Sequence, residues 1–280
     1  MKQLILLLAL GLSLMAAPAF AEDGTESAYE RVMRTQTIRC GYVVYPPAVI
    51  QDPNTGALSG IIYDVMQEAG NLLGLEIEWA EEVGWANTVE TIRTGRTDAI
   101  CVGFWQNPAE GKYLGFTTPL WYSAVNAFVR ADDNRFDGDI ALINSEDVTI
   151  SAGDGEMAAI IAKQDFPKAK ILSKPNMTSV MEQLMDVKTG KADLTFVENY
   201  LGNQFMDAHP QTLKNITKAR PLRVFGNTIA LPQEDVRLQS MLNSALVQIL
   251  NSGQMEKILH KYEKYPGSLY PVLQPYKVPE

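Results

Sequence analysis

The chain has 280 residues, 46% of them hydrophobic, and a formal net charge of -9. At roughly 100–200 residues per domain, that is enough for two modest lobes or one large domain. The acid excess argues against a nucleic-acid binder, which needs basic patches. His209 and His260 lie far apart with no His/Cys cluster, so no metal site is expected, and no cofactor.

The first residues read as an export signal. Lys2 supplies the positive start, Leu4 to Met15 the apolar run and Ala19-Phe20-Ala21 the cleavage site, so the mature chain begins at Glu22. The run is too short to span a bilayer, which points to the periplasm. After a polar leader (22–37), Ile38 to Val44 reads as the first strand, ended by Tyr45-Pro46-Pro47 because the residue before proline avoids the helical region. Asp52-Pro53-Asn54-Thr55-Gly56 is a turn. Ile61, Ile62, Val65, Met66, Ala69, Leu72 and Leu73 follow helical spacing up to Gly74. Leu75 to Ala80 alternates as a strand, and Thr88 to Thr94 is a short helix stopped by Gly95. This βαβαβ order begins a parallel sheet covered by helices.

The segment Gly95 to Tyr122 organises the site. Thr97 to Phe104 is a buried strand whose carboxyl end delivers Trp105, Asn107 and Glu110, where ligands sit in open α/β sheets. Gly95-Arg96-Thr97-Asp98 returns as Gly190-Lys191-Ala192-Asp193, again between a helical stretch and a strand, which suggests two similar lobes. Ala124 to Arg130 leaves the first lobe and Leu222 to Leu231 returns to it. Between them, Val148 to Ser151 and Ala192 to Val197 are strands, and Met157 to Ile161 is helical. Ser179 to Glu182 matches a capping box. Met241 to Leu250 and Met255 to Tyr262 are helical stripes parted by Gly253. The Pro-rich tail from Pro266 either lies against a lobe or hangs free. Cys40 and Cys101 both fall in first-lobe strands. An oxidising compartment permits a disulfide, but neighbouring parallel strands seldom offer the geometry, and two buried thiols are the expectation. Two lobes also predict that no single sheet runs through Cys40, Ile150 and Phe196.

Taken together, the strand into Tyr45-Pro46-Pro47, Leu58-Ser59-Gly60 with Asp64, Trp85 with Gly95-Arg96-Thr97-Asp98, Phe116-Thr117-Thr118-Pro119, Ala152-Gly153 and Gly190-Lys191-Ala192-Asp193 resemble the extracellular solute-binding proteins of the amino-acid-binding type, family 3. The likeness covers 37–262. It implies an α/β, two-lobed periplasmic-binding-protein fold of type II, each lobe a mainly parallel sheet flanked by helices, with two hinge crossings. The expected organisation is a signal (1–21), lobe 1 (22–131), lobe 2 (132–220), the lobe 1 return with the C-terminal helices (221–265) and a tail (266–280).

Position by position, the resemblance implies that Tyr45 and Trp85 sandwich a ligand, that Phe104 and Trp105 face it, and that Glu198 meets an ammonium group. Asp64 looks like a helix-start residue. Two departures bear on the ligand. The family's Thr-x-x-Arg, whose Arg clamps an α-carboxylate, is Asn107-Pro108-Ala109-Glu110 here, and its Gly-Thr is Gly153-Asp154. Lys112 could serve in place of the Arg if the alignment shifts by two residues. The candidate ligand residues are thus Tyr45, Trp85, Phe104, Trp105, Glu110, Asp154 and Glu198. They imply a small polar or cationic ligand, amino-acid-like or an amine, because ring faces and carboxylates favour cations. The expectation is a monomeric, non-enzymatic binding protein that serves a membrane ABC permease. The rival readings are a cyclohexadienyl-dehydratase-like enzyme with Glu198 as general acid, or a sensor on the same scaffold.

Overall fold

The computed structural model describes residues 26–175 and 178–272. The stretch expected to be an export signal (1–21) and the last eight residues lie outside them. In chain order the elements are α1 (Ala28–Thr35), β1 (Thr37–Tyr42), β2 (Ile50–Gln51), β3 (Leu58–Ser59), α2 (Ile61–Leu73), β4 (Glu76–Glu82), α3 (Thr88–Arg93), β5 (Ala99–Trp105), β6 (Leu114–Phe116) and β7 (Trp121–Arg130). Then follow β8 (Thr149–Gly153), α4 (Met157–Asp165), β9 (Lys170–Lys174), α5 (Val180–Lys188), β10 (Leu194–Glu198), α6 (Asn199–Ala208), β11 (Leu213–Asn215), β12 (Arg223–Pro232), α7 (Val236–Asn251), α8 (Gln254–Tyr262) and β13 (Leu269–Pro271).

β4, β1 and β5 pair in parallel in one half of the molecule, and β10, β8 and β9 do so in the other. The repeated Gly-x-x-Asp stretch builds the same joint in each. Asp98 N–H donates to Arg39 O (2.8 Å), and the Asp98 carboxylate accepts the Arg39 N–H (2.7 Å). Asp193 N–H donates to Thr149 O (2.8 Å), and its carboxylate accepts the Thr149 N–H (2.8 Å). Each aspartate therefore pins the start of its strand against the first strand of that lobe. Arg31 and Arg39 hold the Asp98 charge, and Arg135 holds that of Asp193, so neither is left as a bare anion.

The expectation of separate sheets fails. The hydrogen-bonded ladder is continuous from β4 through β12 and β7 to β9, and so passes through Cys40, Phe196 and Ile150. The cause is the length of the two crossing strands, ten residues each. β7 pairs with β12 over 121–125 and with β10 over 125–129, while the far half of β12 pairs with β5 and β6. What divides the molecule is its apolar packing. One core gathers Ile38, Met66, Ile100, Trp121, Ile229 and Leu242. Phe136, Ile150 and Phe196 pack in a second, and Phe128, Leu184 and Phe205 in a third beside it.

Several local expectations change. The leader contains a helix, α1, with a full capping box in which Ser27 accepts the Glu30 N–H and Glu30 returns the bond. At α5 only half of the expected box forms: Ser179 accepts the Met181 N–H, and no return bond from Glu182 joins it. Cys40 and Cys101 form a disulfide, contrary to the reduced thiols expected. Cys40 lies opposite Ala99, so Cys101, two residues on, shares its face of the sheet. The Cα atoms are 5.4 Å apart, inside the range a bridge spans. The described part of the Pro-rich tail, residues 266–272, lies against a crossing strand. β13 adds to β7 at Trp121–Ser123, and Tyr265 donates its hydroxyl to Asp207 on α6 (2.7 Å).

Candidate functional site

A narrow cavity of about 50 Å³ opens between the halves, at the carboxyl ends of β5 and β10. Its first wall is aromatic. Tyr45 is held by a two-way backbone bridge to Val49 (2.9 and 3.1 Å), which fixes the ring after the strand ends. Trp85 opens the short turn before α3. Its ring meets Tyr45 edge to face at 5.7 Å and Phe104 at 6.0 Å. The two rings expected to sandwich a ligand are therefore perpendicular to one another, a corner rather than a clamp. Trp105 stacks on Phe225 at 5.0 Å and donates its indole N–H to Asn227 Oδ1 (2.9 Å).

Its second wall comes from the start of α4. Gly155, Glu156 and Met157 reach the cavity, with Phe196 and Val197 of β10 and Val180 of α5. Gly155 has φ +78°, and a Cβ built there would lie 2.7 Å from the Ala86 nitrogen in the opposite half. The halves thus touch at a point where only glycine fits.

The polar lining is acidic. Glu110 accepts from Thr88 Oγ1 (3.3 Å) and from the Asn107 side chain, while Asn107 Oδ1 accepts the Ala109 and Glu110 N–H groups (3.1 and 3.0 Å). Burial pushes the Glu110 carboxyl above its ordinary range against those bonds. Glu156 folds back over Gly153 and accepts from Gln183 Nε2 (2.5 Å), and burial raises its pKa too. Gln183 is fully buried and itself accepts from Thr195 Oγ1 (3.2 Å), so the Glu156 carboxylate rests on a core amide. Among the described residues that line the cavity, none is Lys or Arg.

Of the expected residues, Tyr45, Trp85, Phe104, Trp105 and Glu110 come together here. Asp154 and Glu198 do not. Asp154 is exposed and accepts from Ser173 at the edge of β9. The neighbouring Gly155 turns the chain, so the acid that lines the cavity is Glu156. Glu198 is buried at the hinge, where it accepts from Ser123 Oγ (2.9 Å). Asn227 Nδ2 donates to that same hydroxyl (2.9 Å), which links Trp105, Asn227, Ser123 and Glu198 in one chain across β5, β12, β7 and β10. Burial raises the Glu198 carboxyl to about 7, and Ser123 opposes the rise. Lys112 is exposed and does not line the cavity. Asp64 accepts from Lys261 and Tyr262 (2.6 and 3.0 Å), a bond between α2 and α8. Glu156, Gln183 and the hinge chain escaped the sequence reading. For Glu156 the available signal was its place directly after the glycine that turns the chain into α4.

Two α/β halves joined by crossing strands, with a walled cavity between them, define a type II ligand-binding fold. The chain belongs to the bacterial extracellular solute-binding proteins, family 3, matched over residues 38–265. It is 24% identical over 92% of its length to a probable amino-acid ABC transporter-binding protein of Haemophilus influenzae, spanning 96% of that protein. It is 23% identical to ABC transporter arginine-binding protein 1 of Escherichia coli (strain K12), over 61% of this chain and 68% of that one. A membrane-bound lytic murein transglycosylase F of Aeromonas hydrophila is 24% identical over 90% of this chain, which spans half of that protein. In structure it resembles an ancestral amino acid-binding protein described as a precursor of cyclohexadienyl dehydratase (TM-score 0.73, 22% identity, 85% of this chain and all of the other). It also resembles the cysteine-binding protein of Campylobacter jejuni (TM-score 0.73, 19% identity, 85% and 93%).

Proposed function

We propose that this protein is a periplasmic receptor that closes on a small cationic molecule and delivers it to an ABC importer. Lobe 2 (132–220) swings on β7 and β12 against lobe 1, which is made of both flanks, and the receptor acts as a monomer. One observation carries the choice of ligand. The polar wall is made by Glu110 and Glu156, beside the rings of Tyr45, Trp85, Phe104 and Trp105, with no Lys or Arg among the described lining residues. Both carboxyls are desolvated, so each gains most from a partner that brings positive charge. Aromatic faces favour the same charge. An α-carboxylate would instead meet two acids, and a buried charge without its partner costs several kcal/mol. Relatives named for amino acids and for arginine support a ligand with an ammonium or guanidinium group.

Calorimetric titration against free amino acids, their decarboxylated amines and quaternary ammonium compounds tests the reading, with tryptophan fluorescence as a second signal from Trp85 and Trp105. Amines are expected to bind more tightly than the parent amino acids, and Glu110→Gln to weaken them. Tight binding of an ordinary α-amino acid, undiminished in Glu110→Gln, would overturn it.

The dehydratase-like reading has one observation in its favour, a Glu198 carboxyl that holds its proton near neutral pH. Glu198 lies outside the cavity lining, bonded to Ser123, and the cavity has no cation among its described lining residues for a carboxylate substrate. Turnover of a cyclohexadienyl carboxylate that is lost in Glu198→Gln would establish it.

A further inference from the structure

Among the described residues, the Glu156 carboxyl has no counterion of its own. It is the N-cap residue of α4, yet its side chain makes no cap bond and folds back over Gly153 instead. Burial is the largest influence on its charge and raises its pKa. Gln183 and the Gly153 N–H donate to it and oppose the rise, and Asp154 adds to it. The elements packed around it bring no free cation. Lys174, opposite Gly153 on β9, is bound by Asp186 of α5 (2.6 Å). Tyr45 and Glu110 share the cavity with Glu156, and Glu82 lines the neighbouring space. Glu198 of β10 acts together with Glu156 on the Tyr45 hydroxyl.

The side chain that holds Glu156 suits either of its forms. Gln183 is fully buried between Glu156 and Thr195. The Thr195 hydroxyl has one hydrogen and two acceptors in reach, Ser151 O at 2.8 Å and Gln183 Oε1 at 3.2 Å. With that hydrogen on the nearer oxygen, none is left for Gln183 Oε1. Turning the amide over repairs this, because Nε2 then donates to Thr195 Oγ1 and Oε1 faces Glu156. An amide oxygen in that place needs a hydrogen from the carboxyl and so fits the neutral acid, whereas Nε2 there fits the carboxylate. The separation of 2.5 Å lies in the O–H···O range and under the usual N–H···O range.

Building on the cationic reading above, we propose that Gln183 is a positioning residue through which the cleft exchanges a proton for its ligand. In the empty cleft Glu156 is a neutral acid that donates to Gln183 Oε1. A ligand ammonium group displaces that proton to solvent, the amide turns over, and Nε2 holds the carboxylate against the new charge. The O–H bond of Glu156 is the only covalent bond that breaks, and the cleft loses one positive charge for the one it gains. Capture is therefore full above the pKa of the empty cleft and is lost as pH falls through it.

The test is calorimetry on the whole protein, at each pH in two buffers of different ionisation enthalpy, which counts the protons released. The probes are tetramethylammonium, which has no proton to give, and n-butylamine, which stays protonated from pH 5 to pH 8. Release is expected at pH 5 and shrinks toward pH 8, with affinity rising by up to roughly tenfold per pH unit for each proton released. Glu156→Gln is expected to remove roughly half of the release and to leave the share of Glu110, which burial also raises. Gln183→Met keeps the volume but loses the N–H that favours the carboxylate, so the pH at which affinity falls is expected to move up. A merely structural role would lower affinity equally at every pH. Binding without release at pH 5, unchanged release in Glu156→Gln, or an unmoved pH profile in Gln183→Met would overturn the inference and leave the cationic reading in place. Failure of both probes and of every amine in the panel would remove the cationic reading, and this inference with it.

Discussion

In the proposed closing receptor, the halves meet at a contact that a single methyl group should block. Gly155 sits at φ +78°, and a Cβ there would meet the Ala86 nitrogen at 2.7 Å and its Cα at 2.9 Å. Optimal heavy-atom contact lies near 3.5–4.0 Å, so Gly155→Ala must open the halves by roughly 0.8 Å at that point. Two costs arise. The left-handed backbone costs a side-chain-bearing residue about 1–2 kcal/mol whatever the position of the lobes. The clash exists only when the lobes are together, and overpacking of this kind costs typically about 1–3 kcal/mol. Gly95 separates the two. Its φ is +67° with nothing within 4 Å of a Cβ, so Gly95→Ala has the strain without the clash. Both variants should lose about 2–8 °C in Tm, at about 2–4 °C per kcal/mol. Only Gly155→Ala should lose ligand affinity, by roughly tenfold. Thermal denaturation and calorimetry on both proteins read the two effects separately. Wild-type affinity in Gly155→Ala, or an equal loss in Gly95→Ala, would refute the closed contact as part of binding.

Two further outcomes are expected. The Glu198 carboxyl, ordinarily near 4.5, is raised to about 7, so the folded state keeps a proton that the unfolded chain releases. Its stabilisation is full below about pH 4.5 and is lost as pH rises through about 7, on the order of 3 kcal/mol. Urea denaturation at pH 5 and pH 8 should show that loss in the wild type and a much flatter response in Glu198→Gln; equal slopes would rule it out. The Cys40–Cys101 bridge spans 61 residues, and loop closure of that length restricts the unfolded chain by about 4 kcal/mol. The double variant Cys40→Ala/Cys101→Ala should denature at correspondingly lower urea, and an unchanged midpoint would show that the bridge does not constrain the unfolded state.

Local chemistry was legible in the sequence. Apolar spacing marked α2, α7 and α8, Gly74 marked the end of α2 and Gly253 the break between α7 and α8, and the Gly-x-x-Asp repeat marked one joint made twice, because those signals act between residues a few positions apart. Trp105 and Glu110 were readable because strand ends deliver side chains to a predictable edge, whereas Tyr45, Trp85 and Phe104 entered through the family resemblance, and all five line the cavity. Tertiary structure decided the rest. Cys40 and Cys101 bridge because β1 and β5 are neighbours in a register that no local pattern encodes. Asp154 and Glu156 look equivalent as acids near a glycine, and only the turn at Gly155 sends one to solvent and the other over Gly153 into the cleft. Glu198 stands beside the site in sequence logic but is held by Ser123, 75 positions away. Its environment, buried among four strands from both halves of the chain, is a sum over distant contacts, and that sum exists only once the chain has folded.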